Sequence, residues 1–193
     1  MVTAITLDRA SELAGWLWIT LLLVWVLLWF RMKRAKKLET PWEMLQHGLP
    51  VVAGFWLMFE TSWKWLNVKL WPGTPAVLWA GVALTALGVG ISISARFTLG
   101  ANWSGVVTLK QGHELIRKGL YRSIRHPIYT GILIACVGTQ LIHGHLRGWV
   151  GFLVVAATFY FKARREERFL KQEFGAGFEE HVRQTGMFLP RWT

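Results

Sequence analysis

The sequence predicts an all-α integral membrane protein of about five transmembrane helices, and three observations carry that reading. Apolar residues make up 53% of the 193 residues and charged ones 17%, with 13 Trp, 11 Phe and a mean hydropathy of +0.33, as expected of a chain solvated by lipid. The charges gather in short stretches between long apolar runs. Lys and Arg divide unevenly among those stretches: residues 31–37, 96–125 and 162–193 hold 18, against four at Arg9, Lys64, Lys69 and Arg147. The positive-inside rule then puts the amino terminus outside and the carboxyl terminus in the cytoplasm, and the expected setting is a bacterial inner membrane.

The elements follow in order. Residues 13–30 are free of charge, close to the ~20 residues that span a hydrocarbon core, and Arg31-Met-Lys-Arg-Ala-Lys-Lys37 stops them. No small-residue cleavage site follows this run, so it is expected to remain as an anchor and not to be removed as a signal peptide. A second run, 45–59, contains Pro50, a kink tolerated where neighbours satisfy the freed carbonyl, and leads into an interfacial stretch. There and just beyond, Trp63, Trp65 and Trp71 read as an outer aromatic belt. After the turn Pro72-Gly-Thr-Pro75, residues 76–95 form a third run in which Gly81, Gly88 and Gly90 permit close helix approach. Two shorter runs, 128–142 and 149–161, are separated by His143-Gly-His-Leu-Arg147 and read as a helical hairpin. Residues 1–95 thus form a three-helix anchor, and residues 96–193 a part with a two-helix hairpin, a cytoplasmic loop and a polar tail.

Composition also excludes several functions. The net charge of +11 flanks apolar segments and lines no polar face with interleaved aromatics, which points to the lipid bilayer and its anionic headgroups and away from nucleic acid. The one cysteine, Cys136, lies in an apolar run, so no internal disulfide and no Cys/His metal cluster is expected. His47, His143, His145 and His181 lack metal-ligand spacing and read as interfacial or surface groups. Gly88-Val-Gly90 lies mid-span, where it serves helix packing and not a nucleotide-binding turn.

Chemistry is sought in the two long polar stretches on the basic side. Residues 96–127 gather Asn102, Trp103, Ser104, His113, Tyr121, Arg125 and His126, more functional groups than a linker needs. Arg125-His126-Pro127 marks a helix start, because proline's missing donor is unpaired there anyway, and such an end attracts anions. An interfacial anchor meeting lipid phosphate explains it equally well. In Lys162-Ala-Arg-Arg-Glu-Glu-Arg168, helical spacing puts Lys162 and Glu166 on one side. Ordinary surface pairs account for these charges in isolation, but a carboxylate just past a membrane helix, on the side of His126, can receive a cationic or polyhydroxyl ligand while arginines orient an anion.

The runs Leu99-Gly-Ala-Asn-Trp-Ser104, His113-Glu-Leu-Ile116, Gly119-Leu-Tyr121, Arg125-His-Pro-Ile-Tyr-Thr-Gly131 and Lys162-Ala-Arg-Arg-Glu-Glu167 with Phe174-Gly175 together resemble the isoprenylcysteine carboxyl methyltransferase family and its phospholipid N-methyltransferase relatives. The likeness covers roughly residues 96–190. It implies that S-adenosylmethionine binds a cytoplasmic pocket in the C-terminal region while a lipophilic methyl acceptor enters from the bilayer, without a metal. By position it implies cofactor contacts from His113, Leu115, Ile116, Tyr121, His126, Pro127, Tyr129 and Glu166, joined by Lys110 or Thr108. It gives acceptor binding to Arg125, Lys162 and Arg164, with Glu167 as support or acid/base partner. Two departures bear on the acceptor: Lys162 stands where some members carry Arg, and Phe178-Glu-Glu-His181 replaces the common aromatic-x-x-aromatic. Carboxyl O-methylation is the first expectation. Phospholipid N-methylation, an NADPH-dependent membrane reductase and a non-catalytic scaffold are the alternatives.

Overall fold

The computed structural model describes residues 2–30, 35–38, 40–59, 67–103, 108–110 and 114–191. Five long helices stand where the apolar runs predict them: α1 (Val2–Trp29), α2 (Pro41–Phe59), α3 (Pro75–Leu99), α4 (Pro127–His143) and α5 (Leu146–Phe174), followed by the short α6 (Ala176–Gln184). The protein is mostly helical, with one addition to the expected all-α class. Strand β1 (Ala35–Leu38) pairs antiparallel with β2 (Thr108–Lys110), so two of the basic stretches meet at one end of the bundle.

Three of these helices are long and apolar enough to cross a membrane: residues 6–29, 75–102 and 146–174. Helix α4 has 17 residues, about 26 Å at 1.5 Å per residue, slightly short of the hydrocarbon core. Helix α2 begins earlier than its apolar run, because Thr40 and Glu43 close a capping box: the Thr40 amide donates to Glu43 Oε2 at 2.8 Å and the Glu43 amide to Thr40 Oγ1 at 3.3 Å. Its first turns are consequently polar. Exposed Leu22, Leu23, Leu27, Leu153 and Phe161 suit a lipid-facing exterior.

The packing partners differ from the expected hairpin. Helices α4 and α5 are joined by a two-residue turn in which Gly144 adopts φ +68°, yet α4 packs mainly along α3 and α5 mainly along α2. Small residues decide this. A Cβ on Gly88 would lie 2.3 Å from the Ala135 nitrogen, and one on Gly138 would lie 2.5 Å from the Thr85 nitrogen. Gly54 of α2 and Gly151 of α5 make a second close crossing. Gly90, expected to join this packing, has nothing within 4 Å of its Cβ position, because it is turned away from α4. Interhelical hydrogen bonds add to the seam, with Trp18 Nε1 donating to Thr139 Oγ1 at 3.0 Å and Ser92 Oγ to the Ile128 carbonyl at 3.2 Å.

Two arginines counted as flanking charges are structural. Arg96, 1% exposed, donates to the carbonyls of Gly100 at 2.8 Å and Leu28 at 2.9 Å and lies 4.5 Å from the Trp103 ring centroid. Arg147, 3% exposed, donates to the Leu57 carbonyl at 2.9 Å and to Asn67 Oδ1 at 2.6 Å. Leu28 and Leu57 lie in the last turn of their helices, where carbonyls lack intrahelical donors and carry partial negative charge, and the Gly100 carbonyl, which caps α3, also takes the Trp103 amide at 3.3 Å. Trp71 also turns inward, donating to the Leu141 carbonyl at 3.2 Å, while Trp63 and Trp65 lie outside the described residues.

Candidate functional site

The chain entering α4 is anchored by its apolar side chains. Ile116, Leu120 and Tyr121 pack with Ala95 of α3 and Ile128 of α4. Pro127 then occupies the first helical position and His126 the N-cap, as the Arg-His-Pro sequence leads one to expect. Helix α5 extends past its apolar part, and Lys162, Glu166 and Glu167 reach this entry point.

Glu167 Oε1 accepts from Arg125 Nε at 2.7 Å and stands 3.2 Å from His126 Nε2, while Glu166 Oε2 lies 3.4 Å from His126 Nδ1. Glu166 Oε1 accepts the Tyr129 hydroxyl at 2.6 Å. Both imidazole nitrogens face carboxylate oxygens, which accept only, so the arrangement suits a ring that donates from both and is therefore cationic. Burial disfavours that charge, but the hydrogen bonds and charges of Glu166 and Glu167 outweigh it and hold the His126 pKa above the ordinary histidine value. Tyr129 stacks on His126 with centroids 5.6 Å apart and on Phe159 at 4.6 Å, and Lys162 Nζ lies 5.8 Å from the Tyr129 ring centroid. The end of α4 that attracts anions is met by the protein's own carboxylates.

A pH dependence follows from the His126 shift. A folded-state pKa above the unfolded value, about 6.5, contributes stability fully present below that value and lost as pH rises through the folded pKa. Thermal unfolding in one detergent is expected to show the melting temperature falling on the alkaline side of pH 6.5, and His126→Gln should flatten that slope. An equal slope in the variant would assign it to other groups.

The structure thus brings Arg125, His126, Tyr129, Lys162, Glu166 and Glu167 together. Pro127 is buried behind them. Tyr121 is buried toward α3, and burial followed by the nearby Glu166 charge pushes its phenol above the ordinary range, so it stays neutral. Leu115 and Ile116 are half-buried in the approach, and Thr108 and Lys110 lie on β2. His113 and Ser104 lie outside the described residues. Arg164 is exposed and stands off this cluster, because two residues along a helix turn it about 200° from Glu166. Among the described residues no His, Cys, Asp and Glu group fit for a metal ion is present.

The sequence reading missed the C-terminal tail. His181, expected at the surface, is 4% exposed on the buried side of α6 with Phe178. Burial, followed by the charges of Arg117 and Arg125, lowers its pKa, so its ring is neutral. Beyond α6, the Thr185 carbonyl accepts from Arg125 Nη1 at 2.5 Å, and the Phe188 ring lies 6.0 Å from that of His126. The departure at His181 was the only signal in the sequence, and it did not reveal where the tail runs.

Comparisons with known proteins identify the family. The family model described as phospholipid methyltransferase matches residues 76–177, more than half of the chain. A probable protein-S-isoprenylcysteine O-methyltransferase of Oryza sativa subsp. indica is 35% identical over 117 residues, covering 59% of this chain and 61% of that protein. Protein-S-isoprenylcysteine O-methyltransferase B of Arabidopsis thaliana is 30% identical over 132 residues, 64% of this chain and 66% of that protein. The Dictyostelium discoideum enzyme is 25% identical over 172 residues, 86% and 72% respectively. The solved structure of the eukaryotic intramembrane Ras methyltransferase, isoprenylcysteine carboxyl methyltransferase, matches with a TM-score of 0.52 at 25% identity, covering 75% of this chain and 52% of that one. The chain spans about 61% of the length of the rice relative. All of these relatives are eukaryotic, so they lend no support to a bacterial inner membrane. An integral membrane protein whose matched segment contains α4, the Arg-His-Pro turn and the paired carboxylates of α5, the chain belongs to the isoprenylcysteine carboxyl methyltransferase and phospholipid methyltransferase family.

Proposed function

We propose that this protein is an S-adenosylmethionine-dependent methyltransferase that methylates a carboxylate on a lipophilic acceptor of the isoprenylcysteine kind. The observation that carries the reading is the pair of carboxylates on α5, closed around His126 where α4 begins. The donor set fits the cofactor: Glu166 keeps about a quarter of its side chain exposed (23%), an acceptor edge for an ammonium or for ribose hydroxyls, beside the Tyr129 hydroxyl and a stacked aromatic wall. S-adenosylmethionine supplies a methyl group on a sulfonium, ready for in-line displacement.

The chain's own residues then position and exclude water. Glu166, His126 and Tyr129 bind one reactant. Arg125 and Lys162 offer cations to the other, an anionic head group whose apolar part remains in the bilayer. A carboxylate acceptor needs no base. An amine acceptor must first lose a proton, yet Glu167 is already engaged by Arg125 and His126, and His126 is held as a cation, so neither is free to take it. This favours O-methylation, while the phospholipid methyltransferase name of the family model favours the amine reading. In this reading α1 to α5 all span, the amino terminus faces outward, residues 1–95 anchor the protein, and residues 96–193 carry the chemistry in the cytoplasm. The cation count supports that orientation.

Isothermal titration of S-adenosylhomocysteine into the detergent-purified protein tests the reading. Saturable binding that disappears in a folded His126→Ala variant is the expected result. Binding of NADPH in its place would transfer the site to a reductase.

A further inference from the structure

After α6 the chain runs back beside the entry to α4. The Gly186 amide donates to the Ser123 carbonyl at 3.1 Å, the Arg125 amide to Gly186 at 2.9 Å and the His126 amide to Met187 at 3.0 Å. Arg125 Nη1 donates to the Thr185 carbonyl at 2.5 Å, and the Phe188 ring leans on His126. Arg125 and His126 are therefore held, in backbone and side chain, by residues about 60 positions later in the chain. One side chain of α4 fastens the end of this strap: Thr130 Oγ1, 6% exposed as a residue, lies 2.7 Å from the Phe188 carbonyl. Its alternative partner, the His126 carbonyl, is farther at 3.2 Å and already accepts the Thr130 amide at 3.1 Å. A hydroxyl has one proton, and the shorter contact takes it.

We infer that Thr130 is a positioning residue of the site: by holding Phe188 it seats the strap 185–188, which keeps Arg125 and His126 aligned with Glu166 and Glu167 and keeps water off the imidazole. The inference rests on the reading that these residues form the methyl-donor site. A strap that merely stabilised the fold would contribute to melting temperature; a positioning strap also governs ligand affinity in a protein that melts normally.

Thr130→Val keeps the volume and removes the donor, and Thr130→Ser keeps the donor. Both are compared with wild type as full-length protein in detergent, by hydrogen exchange of peptides covering 121–126 and 185–191 and by titration with S-adenosylhomocysteine. In Thr130→Val, exchange of both peptides should rise and affinity fall, each about tenfold, the scale of one buried hydrogen bond, with α3 peptides unchanged and both effects reversed in Thr130→Ser. Unchanged exchange in Thr130→Val overturns the inference, as does faster exchange with unchanged affinity or failure of serine to restore. If Thr130→Val does not fold, Thr130→Ala decides: it removes the same donor without the branched side chain, and wild-type exchange and affinity in it would overturn the inference. Absence of S-adenosylhomocysteine binding in the wild type would instead strike the methyltransferase reading, and the exchange arm would still report whether Thr130 holds the strap.

Discussion

Glu166→Gln is expected to weaken S-adenosylhomocysteine binding at least about a hundredfold, roughly 3 kcal/mol, while the protein remains folded. The substitution preserves shape and removes charge. Glu166 has two acceptor oxygens, one taken by the Tyr129 hydroxyl at 2.6 Å and one facing His126 Nδ1 at 3.4 Å. A carboxamide keeps one acceptor oxygen, so either the His126 contact becomes donor against donor or the Tyr129 hydroxyl must turn and accept from the amide nitrogen, and in both cases the His126 cation keeps only Glu167 as counter-charge. The same change removes the anionic edge offered to a cationic ligand. Glu179→Gln is the control, since Glu179 pairs with Lys171 on an exposed surface and should leave binding unaltered. Wild-type affinity in Glu166→Gln would remove this carboxylate from the site.

The largest effect on stability is expected from Gly88→Leu. A Cβ at this position would meet the Ala135 nitrogen at 2.3 Å and the Gly131 carbonyl at 2.4 Å, both backbone atoms that no rotamer change can move. Accommodating it requires α3 and α4 to separate along their whole crossing, losing the Gly81, Thr85 and Gly138 contacts as well. A cost of about 3 kcal/mol or more follows, a fall of roughly 10 °C in melting temperature for a chain of this size. Gly90→Ala, two residues away and facing open space, should leave the melting temperature unchanged or raise it slightly, because alanine favours the helix by about 1 kcal/mol. Equal melting temperatures for the two variants would show that the small residues of α3 do not set the helix crossing.

The five long helices were legible because a helix packed among other helices or against lipid satisfies its backbone internally and presents apolar side chains, which leaves a long apolar run in the sequence. The helix start at Pro127 was legible for a local reason, the restricted geometry of proline. Glu166, His126 and Tyr129 stand out in the sequence through the family resemblance. Their residue chemistry alone was equally compatible with surface ion pairs, and only the distances between α4 and α5 separate the two. The strap was not legible. Its bonds to residues 123–126 run through backbone atoms that every residue carries, so no side-chain pattern announces it. Arg96 and Arg147 misled for a related reason: a charge count by position cannot distinguish an arginine facing headgroups from one serving buried helix-end carbonyls.

By itself the sequence determined that the chain enters a membrane, where its helices begin and end to within a few turns, and which end of the bundle collects the cations. Tertiary structure decided which helices are partners, that two carboxylates close on one histidine, and that the tail returns to hold it. The division has one physical cause. Helix formation in lipid is governed by residues near one another in sequence, whereas a site is made by side chains from different segments, and close approach of backbones at a few glycines sets the distances between those segments.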